Sequence, residues 1–213
     1  MNFDLFQEFA PKIANMTLPG QESHYKMAPL ARLKQLREEA IRTKNPREAA
    51  VLMLYYPDNE GQTRFVLIHR KTYPGVHSNQ VGFPGGKIEE EDRNMEHTAL
   101  RETCEEIGIS PQQIDILCPL TEIYIPPSNF LVYPFMGIMN DTPEFTPQED
   151  EVENIIEVLL SDFLNDEILF SEKLTTSYAK EISVPAFKLN GYTVWGATAM
   201  MLNEVKELLK SAF

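Results

Sequence analysis

Several things are scarce in this 213-residue chain, and each scarcity excludes something. There are only two cysteines, Cys104 and Cys118. Two thiols make no disulfide framework, and their spacing suits no zinc motif. Positive charge is also in deficit: 19 Lys plus Arg stand against 32 Asp plus Glu, a formal charge of −13. A surface of that sign releases few counterions from nucleic acid and is repelled by anionic membranes. No stretch approaches the ~20 apolar residues of a membrane span. The opening residues, MNFDLFQEFAPKIANM, mix apolar with acidic and predict no cleavable signal. Repeats and low-complexity linkers are absent too. The expectation is a reduced, cytoplasmic protein that binds neither nucleic acid nor membrane. A small anion carried with a metal fits, because the metal reverses the local sign. A homodimer is left open.

What is present reads as a mixed α/β chain. Phe3, Phe6, Phe9 and Ile13 recur at helical spacing over residues 2–14. Leu18-Pro19-Gly20 breaks that pattern, and a second helix is predicted over Ala28–Thr43, with Pro29 in its first turn. Residues 1–45 are therefore expected to be a helical extension packed on a domain of residues 46–213. AAVLMLYY (49–56) predicts a strand buried on both faces, and RFVLIHR (64–70) its hairpin partner. A glycine-rich loop over 73–86 follows. A helix from about Asn94 to Ile107 then stops at Gly108. Later strands are predicted at 121–125, 130–139, 154–160, 182–189 and 192–195, with Asn190-Gly191 as a tight turn. Ala197–Leu209 closes the chain as an amphipathic helix. Trp195 is expected in the core, and Cys104 on the buried side of its helix.

The chemistry concentrates in Arg101-Glu102-Thr103-Cys104-Glu105-Glu106-Ile107-Gly108. On a helix, Glu102, Glu105 and Glu106 gather on one side, while Ala99, Thr103 and Ile107 form a second stripe that faces the sheet. Crowded carboxylates repel, and a divalent cation removes the repulsion; all-oxygen ligands favour the hard ions Mg²⁺ or Mn²⁺. Solvated helices with paired Arg and Glu also read this way. The preceding Phe83-Pro84-Gly85-Gly86-Lys87, whose glycines let backbone approach a ligand, favours the metal.

Gly86 through Ile109 resembles the Nudix box, G-x5-E-x7-R-E-U-x-E-E-x-G-U with U aliphatic. Thr103 replaces an aliphatic residue, and the spacing from Gly86 to Arg101 is one residue longer than the general pattern. Glu89, Glu91 and Asp92 all remain candidates for the first acid. The loop Gly85-Gly86-Lys87-Ile88-Glu89-Glu90-Glu91-Asp92 is similar to that of the Nudix subgroup that hydrolyses coenzyme A. So is the preceding Val66-Leu67-Ile68-His69-Arg70 with His77-Ser78-Asn79-Gln80-Val81-Gly82-Phe83-Pro84. Asn79 stands where glycine is usual, and asparagine tolerates the left-handed region next best.

The resemblance implies a Nudix-type α/β/α sandwich with a mixed sheet. It implies metal-dependent hydrolysis of the pyrophosphate bond of coenzyme A or its derivatives, giving 3′,5′-ADP and (acyl-)phosphopantetheine. Glu102, Glu105 and Glu106 would hold the metal together with a backbone carbonyl of Gly85 or Gly86, Gly86 being the ligand chosen. Arg101 would orient a carboxylate. Glu151, in the run Gln148-Glu149-Asp150-Glu151, is the first choice for a general base. Arg70, His77 and Gln80, with the two glycines, are substrate-binding candidates; Arg70 could meet a phosphate bidentately. Two alternatives stand beside this: a Nudix hydrolase for another nucleoside diphosphate derivative such as ADP-ribose, and a non-catalytic Nudix domain that binds a nucleotide.

Overall fold

The computed structural model describes residues 1–29, 45–72, 78–174 and 182–213. Its centre is a hairpin. Strand β1 (Arg47–Pro57) turns through Asp58, whose Oδ1 accepts from the amides of Glu60 and Gln62 at 2.9 Å each, into β2 (Thr63–Arg70). Two short strands follow, β3 (Val81–Gly82) and β4 (Gly85–Lys87), so the end of the expected loop is built into the sheet. Residues 73–77 of that loop, His77 among them, lie outside the described residues. Helix α3 (Met95–Ile107) comes after α1 (Phe3–Ala14) and α2 (Gln21–Lys26). Beyond it run β5 (Asp115–Pro119), β6 (Ile123–Ile125), β7 (Phe130–Ile138) and β8 (Val152–Leu159). These belong to one mixed eight-stranded sheet with core order β3-β2-β1-β7-β5. Strand β1 is antiparallel to β2 and β4 and parallel to β7.

Alternate residues of β1 face opposite layers, as the two-residue period of a strand demands. Ala50, Leu52, Leu54 and Tyr56 pack with Val66, Ile68 and, from α3, Ala99 and Ile107. Met53 and Tyr55 look the other way, toward Phe65 and Leu67, Phe3, Phe6 and Ile13 of α1, and Leu202, Val205 and Leu209 of the last helix, α5 (Gly196–Ala212). Helices thus cover both faces, which is why the strand reads as a continuous apolar run. Each fully buried Leu, Ile, Val, Phe or Met among these contributes roughly 1.5–3 kcal/mol.

A second, three-stranded sheet has the order β11-β10-β9, made of β9 (Leu169–Leu174), β10 (Ile182–Leu189) and β11 (Tyr192–Trp195). Asn190 and Gly191 take φ of 48° and 86° between the last two, the paired left-handed residues of a tight hairpin turn. A one-turn helix, α4 (Leu160–Leu164), links the sheets.

The N-terminal helices dock on α5. Phe9 meets Phe213 edge-on at 5.0 Å, and Lys12 Nζ donates to the Ala212 carbonyl. The short α2 was not expected from sequence; the helix predicted over Ala28–Thr43 falls almost wholly outside the described residues. Below α2 lies a buried polar knot around Glu204 of α5. Its carboxylate accepts from the amides of Gly20 at 3.1 Å and Thr121 at 3.2 Å, and from the Thr121 hydroxyl. His24 Nε2 stands 3.1 Å away. Burial pushes this carboxyl up, but the bonds from His24 and Thr121 outweigh it and hold Glu204 below its ordinary range. Two other expectations are corrected: Trp195 and Cys104 are half-buried. Trp195 ends the outer strand β11, and Cys104 sits on the flank of α3, beside the Thr103 stripe.

Candidate functional site

Helix α3 is fixed at both ends by its sequence. Asn94 Oδ1 accepts from the His97 amide at 2.8 Å, capping the first turn. Gly108 ends it at φ 77°, its amide bonded to the Cys104 carbonyl at 2.9 Å. A side chain at Gly108 would also collide with Thr146, since a Cβ there would lie 2.8 Å from the Thr146 Cβ. Ala99, Thr103 and Ile107 are buried, and Thr103 Oγ1 satisfies itself on the Ala99 carbonyl at 2.7 Å. A hydroxyl in an aliphatic position is thereby accommodated.

The three glutamates have different surroundings. Glu106 is 1% exposed, Glu102 half-buried, and the Glu105 side chain 53% exposed. Glu106 Oε2 accepts from the Gly85 amide at 2.8 Å. Its Oε1 lies 3.0 Å from Arg70 Nη1 yet accepts no hydrogen bond. Burial raises the Glu106 carboxyl to about 7, against the opposing pull of Arg70 and the Gly85 amide. Glu102 is raised as well, by burial first, with Arg101 opposing. Its carboxylate presses on Gly86, where a Cβ would stand 2.4 Å from Glu102 Cδ.

The two glycines divide the work. Both lie in the ladder to β1, Gly86 opposite Ala50 and Gly85 opposite Val51. Gly85, at φ 147°, turns its groups away from β1, the amide to Glu106 and the carbonyl to Arg70 Nη2 at 2.8 Å. A Cβ on Gly85 would lie 2.3 Å from the Ala50 carbonyl oxygen, so only glycine fits.

Arg101 makes a clamp. Its Nε and Nη2 bind the two oxygens of Asp92 at 3.0 and 2.9 Å. Its Nη1 reaches Glu102 and Glu105 at 3.1 Å each, and Nη2 also donates to the Lys87 carbonyl at 2.9 Å. Asp92 takes further bonds from Thr98 Oγ1 at 2.9 Å and the Glu89 amide at 3.0 Å, and His97 Nδ1 stands 2.9 Å away. The Arg101 guanidinium above all holds the Asp92 carboxyl far below the usual carboxylate range. Of the three acids considered for the first box position, Asp92 is the one joined to Arg101; Glu89 and Glu91 are exposed. Sequence held the signal: five residues separate Gly86 from Asp92, as in the general pattern, and the extra residue falls between Asp92 and Arg101.

The chain after β7 returns to this helix. Thr146 and Gln148 donate amides to the carbonyls of Ile107 and Glu106 at 2.9 and 3.0 Å, and the Lys71 amide ties the Glu151 carbonyl at 2.9 Å. Glu151 is exposed, and its charge contributes to raising both Glu102 and Glu106. Gln80, half-buried, accepts from the Arg70 amide through its carbonyl at 3.0 Å. Asn79 does take the left-handed conformation, φ 57°, with its side chain 2.9 Å from His69 Nε2.

A divalent cation fits this donor set in part. Glu106 supplies a buried oxygen with no hydrogen bond, Gly85 a carbonyl turned away from β1, and Glu102 a carboxylate beside them. All are hard oxygens, and such ions keep waters or phosphates as remaining ligands. Among the described residues, no three Asp, Glu, His or Cys side chains already converge as a complete cage. Glu105, turned toward Arg101, stands aside.

The NUDIX domain model matches residues 45–176, more than half of the sequence. The chain belongs to the Nudix domain family. It is 35% identical over 163 residues to Nudix hydrolase 22, chloroplastic, of Arabidopsis thaliana, covering 74% of this chain and 53% of that one. The chain thus spans about half the length of the first curated relatives it matches. It is 28% identical to the peroxisomal coenzyme A diphosphatase ndx-8 of Caenorhabditis elegans, over 81% of this chain and 73% of that one. The fold matches the crystal structure of the Nudix hydrolase RenU from M. smegmatis with a TM-score of 0.53 at 15% identity, over 78% of this chain and 87% of that one. The α/β sandwich with a mixed sheet is therefore the family's. These relatives are named for chloroplast and peroxisome, not for the cytoplasm expected from sequence. Among the described residues no helix is long and apolar enough to cross a membrane.

Proposed function

We propose that this Nudix chain hydrolyses the pyrophosphate bond of a nucleoside diphosphate derivative, and that the substrate is coenzyme A or its acyl forms. The products would be 3′,5′-ADP and (acyl-)phosphopantetheine. One observation carries the hydrolytic reading: Glu106, buried, with an oxygen that accepts no hydrogen bond, set beside Glu102 and the Gly85 carbonyl. A buried carboxylate with one oxygen short of a hydrogen bond is costly in a helix whose only task is structural. The substrate rests on the Gly85–Asp92 loop and its resemblance to coenzyme A hydrolases; the printed name of the nematode relative supports it.

In this reading Mg²⁺ or Mn²⁺ is held by Glu106, Glu102 and a glycine carbonyl, with Glu105 able to join on leaving Arg101. The carbonyl chosen is Gly85's in place of Gly86's, because Gly85 turns its carbonyl toward Arg70 and not toward β1. Such a cation, when bound, would neutralise the pyrophosphate and lower the pKa of a water. Arg101 keeps Glu102 and Glu105 aligned without touching substrate. The Glu151 carboxylate accepts the proton of the attacking water. Arg70, and the loop bearing His77 and Gln80, contact the substrate. Residues 1–45 are assigned as an extension of the 46–213 domain, with the described helices α1 and α2 packed on it, and the partner is a small nucleotide rather than nucleic acid or membrane.

The test is a substrate panel. The protein is incubated with Mg²⁺ or Mn²⁺ and coenzyme A, ADP-ribose, NADH or nucleoside triphosphates, and products are identified by mass. Release of 3′,5′-ADP from coenzyme A is expected. Turnover of ADP-ribose alone would overturn the substrate, and tight binding without turnover of any would overturn hydrolysis.

A further inference from the structure

Arg70 ends β2 and reaches across to two oxygens at once. Its Nη1 is 3.0 Å from Glu106 Oε1, and its Nη2 donates to the Gly85 carbonyl at 2.8 Å. These are two of the three oxygens assigned above to the divalent cation. The seat is imperfect, because Glu106 Oε1 accepts no aligned hydrogen bond from the guanidinium beside it. It is also open, as the Arg70 side chain keeps 23% of its exposure.

We infer that Arg70 is a displaceable internal counter-ion, which competes with the divalent cation for Glu106 and the Gly85 carbonyl. The inference rests on the proposed metal site. A guanidinium neutralises a buried carboxylate and so keeps Glu106 from standing as an unpaired charge in the fold. The same guanidinium repels any divalent ion approaching the shared oxygens. At a separation of ~5 Å, with largely solvent-like screening, that repulsion weakens cation binding by about tenfold. Linkage then runs both ways. An anionic ligand that takes the guanidinium away from Glu106 raises cation affinity by the same factor as the cation raises affinity for that ligand. The site would load its metal best together with a pyrophosphate.

Mn²⁺ binding to the full chain, read as loss of the free-ion paramagnetic resonance signal without substrate, tests this. Arg70→Gln should bind Mn²⁺ about tenfold more tightly than wild type, and Arg70→Lys, which keeps the charge, much less so. Glu106→Gln is the control on the site itself. If Glu106→Gln binds Mn²⁺ as wild type does, the metal site is misplaced. If Glu106→Gln loses the ion while Arg70→Gln binds it equally or more weakly, only the competition is overturned. Should Arg70→Gln fail to fold, a Mg²⁺ titration of wild type decides by nuclear magnetic resonance. The Arg70 Nε–H resonance, assigned by its loss in Arg70→Lys, must move with the midpoint of Mg²⁺ binding; a resonance that stays put overturns the inference.

Discussion

Two arginine–carboxylate pairs each take one member from α3, and they are built oppositely. Arg101 and Asp92 meet bidentately through one guanidinium edge, and Asp92 is further bonded by Thr98 and the Glu89 amide. The Asp92 side chain has no exposure left. Arg70 and Glu106 share one ion pair, with Oε1 accepting no hydrogen bond. The same two chemical groups give a closed joint in one place and an open one in the other. The difference shows in their acidity. Asp92 is pulled down by its partners, and Glu106 is pushed up by burial that its partners do not offset. A saturated carboxylate holds structure, whereas an under-bonded one is free to take a further ligand.

The comparison can be broken most forcefully at Asp92. Asp92→Ala leaves Arg101 without its principal partner and should cost about 3 kcal/mol of stability, read by urea unfolding. A loss as small as that of a surface ion pair would make the two joints alike. Glu106→Gln should do the reverse: activity falls by more than about a hundredfold while the unfolding midpoint at neutral pH is no lower than wild type's. Unchanged turnover would remove Glu106 from the chemistry.

Their pH dependences should have opposite signs. Asp92 is depressed, so its contribution is complete above its unfolded value of about 4 and disappears as pH falls below it. Glu106 is raised, so its contribution is present in acid and is lost as pH climbs from about 4 toward about 7. With chelator present, Glu106→Gln should flatten stability between those limits, and Asp92→Asn should flatten it below them. Urea midpoints across pH check both, and identical slopes would dissolve the contrast. The smallest effect belongs to the helix cap: Asn94→Ala should cost about 1 kcal/mol, with activity per folded molecule kept.

Much of this was legible in the sequence, for identifiable reasons. The β1–β2 hairpin is long and apolar on both faces. Helix α3 carries an asparagine at its start, a glycine at its end, and the buried stripe of Ala99, Thr103 and Ile107. What escaped was short or depended on distant partners. Strands β3 and β4 have two and three residues, and glycines in both disguise them as loop. Strand β5 follows immediately on a 3₁₀ turn at Pro111–Gln113, which hides its start. Helical spacing put Glu102, Glu105 and Glu106 together, but it could not say that only Glu106 would be roofed by Gly85. Nor does spacing show which glycine carbonyl turns away from β1; that depends on pairing with β1.

The knot around Glu204 has a bearing on how the molecule is made. Gly20 and His24 are held by a residue about 180 positions later in the chain, and Lys12 by one 200 positions later. Helix α1 can pack on the β1–β2 hairpin through Phe3 and Phe6, but its contacts with α5 wait until α5 is present. Closing so large a loop is entropically slow, so the hairpin and α3 should form before it. Phe9, which meets Phe213 in the finished fold, would stay wet until the loop closes. The face of α1 that α5 covers in the finished protein is, before that docking, an exposed apolar surface.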